Sequence, residues 1–422
     1  MREQVKALRG TKDLLLKDAK LWTTLEAKAR AVFGAFGYME IRTPVIEESS
    51  LFVRSLGEGT DIVEKQMFTF IDRGERSITL RPEATASVVR AYLENNLVNE
   101  MGFVKLFYMG PMFRAERPQA GRMRQFHQIG VEAIGSQSPH LDAEVIALMA
   151  GLLDSLGVIG YNIKINSLGC PKDKIALADG LRKTLSGGQD RLCDDCKVRY
   201  EKNILRILDC KNESCRNSVR MIFKGTPECL CPDCKSHFDS VRRSLDELKI
   251  NYTVDPYLVR GLDYYTKTTF EVTHKKLGAQ DAIGAGGRYD NLVEELGGPA
   301  RGACGFALGM ERTVMALDET PVIPEGICLY FATMGEEEYR VAFNIANELR
   351  TRGGISCELD YEGKSLKAQM RSADRLGAKY TAIIGEDELK AHTLTLRNMA
   401  TKEQRALPEH EFVAEIERIF VK

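Results

Sequence analysis

Four arginines fall within eleven residues, at Arg114, Arg117, Arg122 and Arg124, with Glu116 the one acid among them. The planar guanidinium offers a rigid fork of donors that matches phosphate. Phe113-Arg114-Ala115-Glu116-Arg117-Pro118 leads into a glycine-containing link, and Arg124-Gln125-Phe126-His127-Gln128 leads out of it. The flanking runs, 103–112 and 125–134, read as an antiparallel strand pair joined by a long loop. Arginines at the ends of such a pair can hold a polyphosphate and an RNA end, and Phe126 can stack on a base. Taken alone, the same residues also describe a solvated basic hairpin. Strand alternation turns His127 away from Phe126 and Gln128, so it is expected outside any pocket those two line.

Cysteine gives a second signal. Seven of the 11 cysteines lie from Cys193 to Cys234. Such clustering reads as metal ligands or free thiols before disulfides. The pairs Cys193-x-x-Cys196 and Cys231-x-x-Cys234 can together form a tetrahedral zinc site, with Cys210, Cys215 and Cys229 between them. The pairs are further apart than in a compact zinc ribbon, so reduced, partly buried thiols are the favoured reading and structural zinc the alternative. His237 can join such a site, though a lone histidine near a helix is more often a surface residue.

These groups need elements to position them. Residues 21–33 carry apolar side chains at helical spacing, and 38–44 alternate and end at Pro44, as a strand does. From about 170 to 252 the pattern is helical and mildly basic, 17 Lys and Arg against 13 Asp and Glu over 171–250, and it reads as an insertion. Strand-like, glycine-rich sequence returns over 255–315. Gly284, Gly286 and Gly287 lack the dinucleotide-binding spacing and are read as allowing close backbone approach. A linker is expected at 321–324. Beyond it, strand 327–333, helix 337–352, strand 355–359, helix 365–376 and strand 380–385 imply a small, mostly parallel α/β domain.

With 422 residues the chain is long enough for more than one core. A net charge of -1, with 44% hydrophobic and 28% charged residues, excludes a wholly basic nucleic-acid coat and leaves local basic patches for any RNA. The N-terminus is too charged for a secretory signal and no apolar run spans a bilayer, so a cytoplasmic protein without membrane contact is expected.

The arginine segment resembles motif 2 of class II aminoacyl-tRNA synthetases in its histidyl form. Further blocks resemble that family in its order: Arg9-Gly10-Thr11-Lys12-Asp13 its N-terminal signature, 37–47 (GYMEIRTPVIE) motif 1, 80–85 (LRPEAT) its amino-group loop, 258–266 (LVRGLDYYT) and 282–291 (AIGAGGRYDN) its two histidyl blocks, and 305–313 (GFALGMERT) motif 3. The chain departs where Leu14-Leu15-Leu16 replaces a proline common after the N-terminal signature. The resemblance implies an α+β fold. A class II catalytic domain over 1–320, an antiparallel sheet flanked by helices, is interrupted by a helical cysteine-containing insertion over 171–253. An α/β anticodon-binding domain follows over 321–422.

The resemblance also implies roles. Activation of histidine is attack by one anion on another, so the site must neutralise charge and hold the reactants in line. Arg114 and Arg260 are the implied catalytic pair at the α-phosphate. Glu116, Arg122, Phe126 and Arg312 join Arg114 around ATP, which is used with Mg2+. Glu132, Tyr264 and Tyr265 are expected around the histidine ring, and Glu83, Thr85 and Gln128 around its amino group. A pocket of hydrogen bonds rejects apolar analogues by ~10⁴ or more. Gln119 and Arg122 are expected at the tRNA acceptor end. Lys364, Lys367, Arg371 and Arg375 are expected to form one basic helical stripe in the anticodon domain. The implied partners are L-histidine, ATP and tRNA(His), with a homodimer built through motif 1. The alternative is an inactive synthetase-like regulatory subunit of ATP-phosphoribosyltransferase, which lacks the anticodon domain.

Overall fold

The structure, a computed structural model, describes residues 4–223, 225–278, 281–319 and 326–420. It divides into two compact units, Met1–Pro321 and Val322–Lys422. The linker expected at 321–324 lies outside the described residues.

The first unit contains strands β1 (Met39–Glu40), β2 (Ile46–Glu48), β3 (Phe68–Ile71), β4 (Ser77–Leu80), β5 (Val104–Phe113), β6 (Gln125–Ile134), β7 (Asn162–Ser167), β8 (Thr253–Val254), β9 (Thr266–Thr273), β10 (Ala282–Arg288) and β11 (Ala303–Gly309). Eight of them form one sheet in the order β1-β5-β6-β11-β10-β9-β7-β8, and β2, β4 and β3 form a small antiparallel sheet. The large sheet is antiparallel from β5 to β7, with parallel pairs only at its two ends. β5 and β6 run the full ten residues against each other, Val104 opposite Ile134 and Phe113 opposite Gln125.

Alternation along β6 separates its two faces. Val131 and Ala133 are buried on one side. On that same side His127 meets the Trp22 ring edge-on at 4.7 Å, and its backbone N–H donates to Glu311 at 3.0 Å. Trp22 belongs to the helix Leu16–Ala35, whose buried Leu21, Leu25, Ala29 and Phe33 repeat every four residues along one stripe. A second helix, Pro139–Leu156, starts where the Ser138 side chain accepts the His140 N–H and Pro139 presets the first turn, and ends at Gly157 with φ +86°. Beside it the Arg288 guanidinium is fully buried, donating to Asp142, to Asp290 at 2.8 Å and to the Ser136 and Ser138 carbonyls. His237, partly buried, joins this network through Asp142 at 2.9 Å, and among the described residues it does not gather with the cysteines.

Between β7 and β8 the chain is helical, with Pro171–Leu185, Asp194–Lys202, Glu213–Ile222 and Pro232–Glu247. Its apolar residues do not form a separate core. Leu177, Leu181, Ile207 and Val219 share one buried cluster with Leu56, Tyr264 and Tyr265 of the sheet region. Arg206 to Asp61 at 2.6 Å and Asn203 to Asp263 at 2.9 Å also tie it down.

The second unit has β12 (Leu329–Thr333), β13 (Cys357–Leu359), β14 (Tyr380–Ile384), β15 (Thr393–Asn398) and β16 (Gln404–Pro408) in the order β13-β12-β14-β15-β16. The first three are parallel and the last two antiparallel. The basic stripe differs from expectation. The helix spans Leu366–Arg375, so Lys364 precedes it and pairs with Glu362 at 2.7 Å. Lys367, Arg371 and Arg375 remain exposed on one face. Buried Gln369 fastens the opposite face, accepting the Thr333 N–H at 3.0 Å and donating to the Thr333 carbonyl at 2.6 Å.

Candidate active site

The even-numbered face of β6 supplies Phe126, Gln128 and Glu132 to a cleft of about 860 Å³. The same cleft is lined by Glu83, Thr85, Arg114, Glu116, Arg122, Arg260, Tyr264, Tyr265 and Arg312. Thus every residue expected around ATP or histidine faces one cavity. Gln119 lies outside it, exposed in the loop, where it pairs with Arg122 in an isolated β-bridge.

The loop between β5 and β6 is held at its base. The Arg114 N–H donates to the Arg124 carbonyl at 2.9 Å, and the Arg124 N–H to the Gly10 carbonyl at 2.7 Å. Gly10 has φ +92°, and a Cβ there would press on Pro118 and Arg124, so only glycine lets the N-terminal segment lie across the loop. Within the loop Glu116 and Arg122 form an ion pair. Arg114 Nε donates to the Pro82 carbonyl at 2.9 Å, and its guanidinium lies 5.2 Å from the Phe126 ring centroid. Arg312, near the start of the helix Met310–Ala316, donates to the Gly121 carbonyl at 2.9 Å and to the Ala282 carbonyl at 2.8 Å. Arg260 donates to Glu271 at 2.7 Å, and its guanidinium lies 6.0 Å from the Tyr265 ring centroid.

A polar pocket forms the deep end. Glu132 is buried; one oxygen accepts the Thr85 hydroxyl at 2.7 Å and the other the Tyr289 hydroxyl. Burial pushes its carboxyl up to about 8, against the pull of those two donors. Glu83 is also buried, which raises its carboxyl even though it accepts the Thr85 N–H at 2.7 Å and the Ala86 N–H at 3.0 Å at the start of the helix Thr85–Glu94. Tyr264 lies between Tyr265, a tilted ring 4.6 Å away, and Tyr289, which it meets edge-on at 5.6 Å. Gly305 sits opposite Glu132 in the ladder, and a Cβ there would run into the Glu132 carboxylate and the Val131 carbonyl. Among the described residues, Tyr108 Oη, Gln128 Oε1 and Arg260 Nε are buried atoms without a hydrogen-bond partner, and all three residues line this cleft. Buried polar atoms are usually hydrogen-bonded, to protein, to water or to a ligand.

Sequence reasoning missed Tyr108, Tyr289 and Glu271. Tyr289 stands in the glycine-rich block, where glycine spacing is the stronger local signal. Glu271 is an acid in a strand otherwise rich in Thr, Phe and Val, which is the one signal that marked it. Tyr108 had no signal in sequence, since its hydroxyl enters the cleft only through the space left by Gly130 on the neighbouring strand.

The cysteines do not form the single site that the two C-x-x-C pairs offered as the alternative to free thiols. Cys193 and Cys196 gather with Cys210 and Cys215, whereas Cys231 and Cys234 gather with Cys170 and Asp173. The pairs head different helices, Asp194–Lys202 and Pro232–Glu247, so each meets its nearest neighbours in space and not the other pair.

A family model described as Histidyl-tRNA synthetase matches residues 10–187 and 228–313, and one described as Anticodon binding domain matches 328–419. A histidine–tRNA ligase of Halothermothrix orenii is 51% identical over 421 residues, covering 98% of this chain and 99% of that protein. One of Desulforamulus reducens is 48% identical over 408 residues, covering 96% and 97%. The crystal structure of apo Staphylococcus aureus histidyl-tRNA synthetase superposes with a TM-score of 0.83 at 37% identity, covering 98% of this chain and 100% of that one. A Bacillus halodurans structure described as an ATP phosphoribosyltransferase regulatory subunit/histidyl-tRNA synthetase is 21% identical, with a TM-score of 0.67 over 91% of this chain and 99% of that one, and shows a shared fold alone. No described helix is long and apolar enough to cross a membrane. With matching motifs, fold and near-full-length relatives, the chain belongs to the histidyl-tRNA synthetase family of class II aminoacyl-tRNA synthetases.

Proposed function

We propose that this cleft activates L-histidine with ATP and passes it to the 3′ end of tRNA(His). In the first step a histidine carboxylate oxygen bonds to the α-phosphorus, the bridging α–β P–O bond breaks, and pyrophosphate leaves. In the second a terminal ribose hydroxyl attacks the activated carbonyl, loses its proton, and AMP leaves. The observation that carries the reading is the meeting of Arg114, Arg260 and Arg312 with Glu132 around one cavity.

Arg114 and Arg260 face the α-phosphate from two sides and neutralise the charge that builds there, while Arg312 and Arg122 take the outer phosphates. Phe126, backed by Arg114, offers a face to adenine. Glu132 accepts a ring N–H of histidine; a carboxylate has about four acceptor positions, so the bonds from Thr85 and Tyr289 leave room. Tyr264 contacts the other ring nitrogen, Tyr265 walls the pocket, and Glu83, Thr85 and Gln128 hold the α-amino group. Mg2+ enters such sites on the ATP phosphates with one or two carboxylates, and Glu116 and Glu271 in the cleft fit that donor set. Bound there it supplies neutralisation of phosphate charge.

For RNA, the loop with exposed Gln119 and part-buried Arg122 meets the acceptor end, and exposed Lys367, Arg371 and Arg375, with Lys364 beside them, meet the anticodon region. Met39 and Ile46, 48% and 51% exposed on β1 and β2, favour a homodimer through this edge; sedimentation giving a monomer rejects it. The decisive test is ATP–pyrophosphate exchange with histidine, threonine and proline in parallel. Histidine-dependent exchange alone is expected, and its absence sinks the reading. The regulatory alternative also predicts no exchange.

A further inference from the structure

We propose that the insertion holds a structural zinc ion between the thiolates of Cys193, Cys196, Cys210 and Cys215. Their sulfur atoms all lie within 4.8 Å of one another. Cys193 Sγ and Cys210 Sγ are 3.6 Å apart. Four sulfurs at about 2.3 Å from a tetrahedral zinc are about 3.8 Å from each other, so the tetrad closes on the ion by small side-chain rotations. All four are free cysteines, and Cys196, Cys210 and Cys215 are buried.

The spacing supports the same assignment. Two residues separate Cys193 from Cys196, thirteen separate Cys196 from Cys210, and four separate Cys210 from Cys215. Two short knuckles joined by a compact loop are the pattern of structural zinc. This is the compact spacing that the pairing of Cys193 and Cys196 with the distant Cys231 and Cys234 lacked. Cys193 immediately precedes the helix Asp194–Lys202 and Cys196 lies in its first turn. Cys215 lies in the first turn of Glu213–Ile222, and Asn212 caps that turn by accepting the Cys215 N–H at 3.0 Å.

The second cysteine group is closed differently. There the Asp173 carboxylate accepts the Cys170 N–H at 3.2 Å and the Cys231 N–H at 3.1 Å, joining two helix starts by hydrogen bonds. The tetrad has no carboxylate in that role. Four thiols pressed together in an apolar cluster offer each other only weak S–H donors, and an ion gives them a common partner.

Four protein ligands leave no open position, so the ion is structural and not catalytic. Its task is visible from what the tetrad holds. Asp209, Cys210 and Arg216 line the same cleft as Arg260. The ion therefore fixes one wall of the catalytic cleft. The tetrad also falls between the matched stretches 10–187 and 228–313, so it is a property of this chain's insertion and not of the family model.

The test is zinc content of the full chain, purified reduced and without chelator, against Cys215→Ser. The variant is expected to hold one zinc per chain fewer. Equal zinc in both, or none in the wild type, overturns the proposal, as does a Cys193–Cys210 disulfide found by mass spectrometry in freshly isolated protein. Because Cys215→Ser can misfold, Cys193→His is the second variant, keeping a ligand of another kind. Loaded with cobalt, the wild type should show tetrahedral d–d bands with thiolate charge transfer. Cys193→His should keep the tetrahedral bands with weakened charge transfer, and a spectrum identical to wild type overturns the assignment.

Discussion

The Thr85 hydroxyl donates to Glu132 at 2.7 Å, joining the first residue of a helix to the buried carboxyl at the polar end of the cleft. Burial raises the Glu132 carboxyl from 4.5 to about 8. The unfolded chain loses that proton near 4.5 and the folded chain only near 8, so the folded state holds more protons in between. The associated stability is present below about 4.5 and lost as pH rises towards about 8. Glu132→Gln removes this titration. Its melting temperature should fall less than that of wild type across that window, by calorimetry in matched buffers. Parallel curves reject the raised carboxyl. Glu132→Ala should raise the histidine KM in exchange by roughly 10- to 100-fold, since a ring donor left unpaired costs about 1–3 kcal/mol, and an unchanged KM removes Glu132 from the pocket.

Arg260 stands beside Glu271 with one guanidinium nitrogen unpartnered. Arg260→His should slow single-turnover adenylate formation by roughly 10²- to 10³-fold, the usual cost of one donor at a developing charge. Circular dichroism should stay unchanged. An unaltered rate shows that the arginine does not touch the reacting phosphorus.

Gly305 leaves the space that Glu132 occupies. Gly305→Ala should cost about 1–3 kcal/mol of stability and raise the histidine KM more than the ATP KM, since the displaced group is the proposed ring acceptor. Equal effects on both substrates place the damage elsewhere.

Asp142 is the buried counter-charge of Arg288 and also binds His237. Asp142→Ala should destabilise by about 3–5 kcal/mol, because it strands a buried guanidinium. Denaturant unfolding measures this, and a loss below about 1 kcal/mol shows that the Asp290 and carbonyl partners suffice.

Residues 322–422 form their own unit with their own core. Their removal should leave histidine-dependent exchange within about tenfold while charging of tRNA(His) falls by roughly 10²-fold or more, as expected when phosphate contacts are lost. Charging that matches the full chain contradicts the RNA assignment.

Local pattern was enough for much of this molecule. Residues 125–134 alternate, so the strand, the face shared by Phe126, Gln128 and Glu132, and the outward turn of His127 were all readable from a period of two. The arginine-rich link and the ordered blocks around Glu83, Arg260 and Arg312 are local motifs, so many of the residues that line the cleft are legible in them. Other relationships depend on parts of the chain that meet only on folding. Tyr289 reaches Glu132 across 157 positions, and Arg288 reaches Asp142 across 146, through strand order in the sheet. Lys364 left the stripe because Ser365, and not an earlier residue, precedes the helix. The cysteines are the clearest case. Each C-x-x-C pair is local, but its partners depend on which helix starts converge, and packing decides that where residue spacing does not.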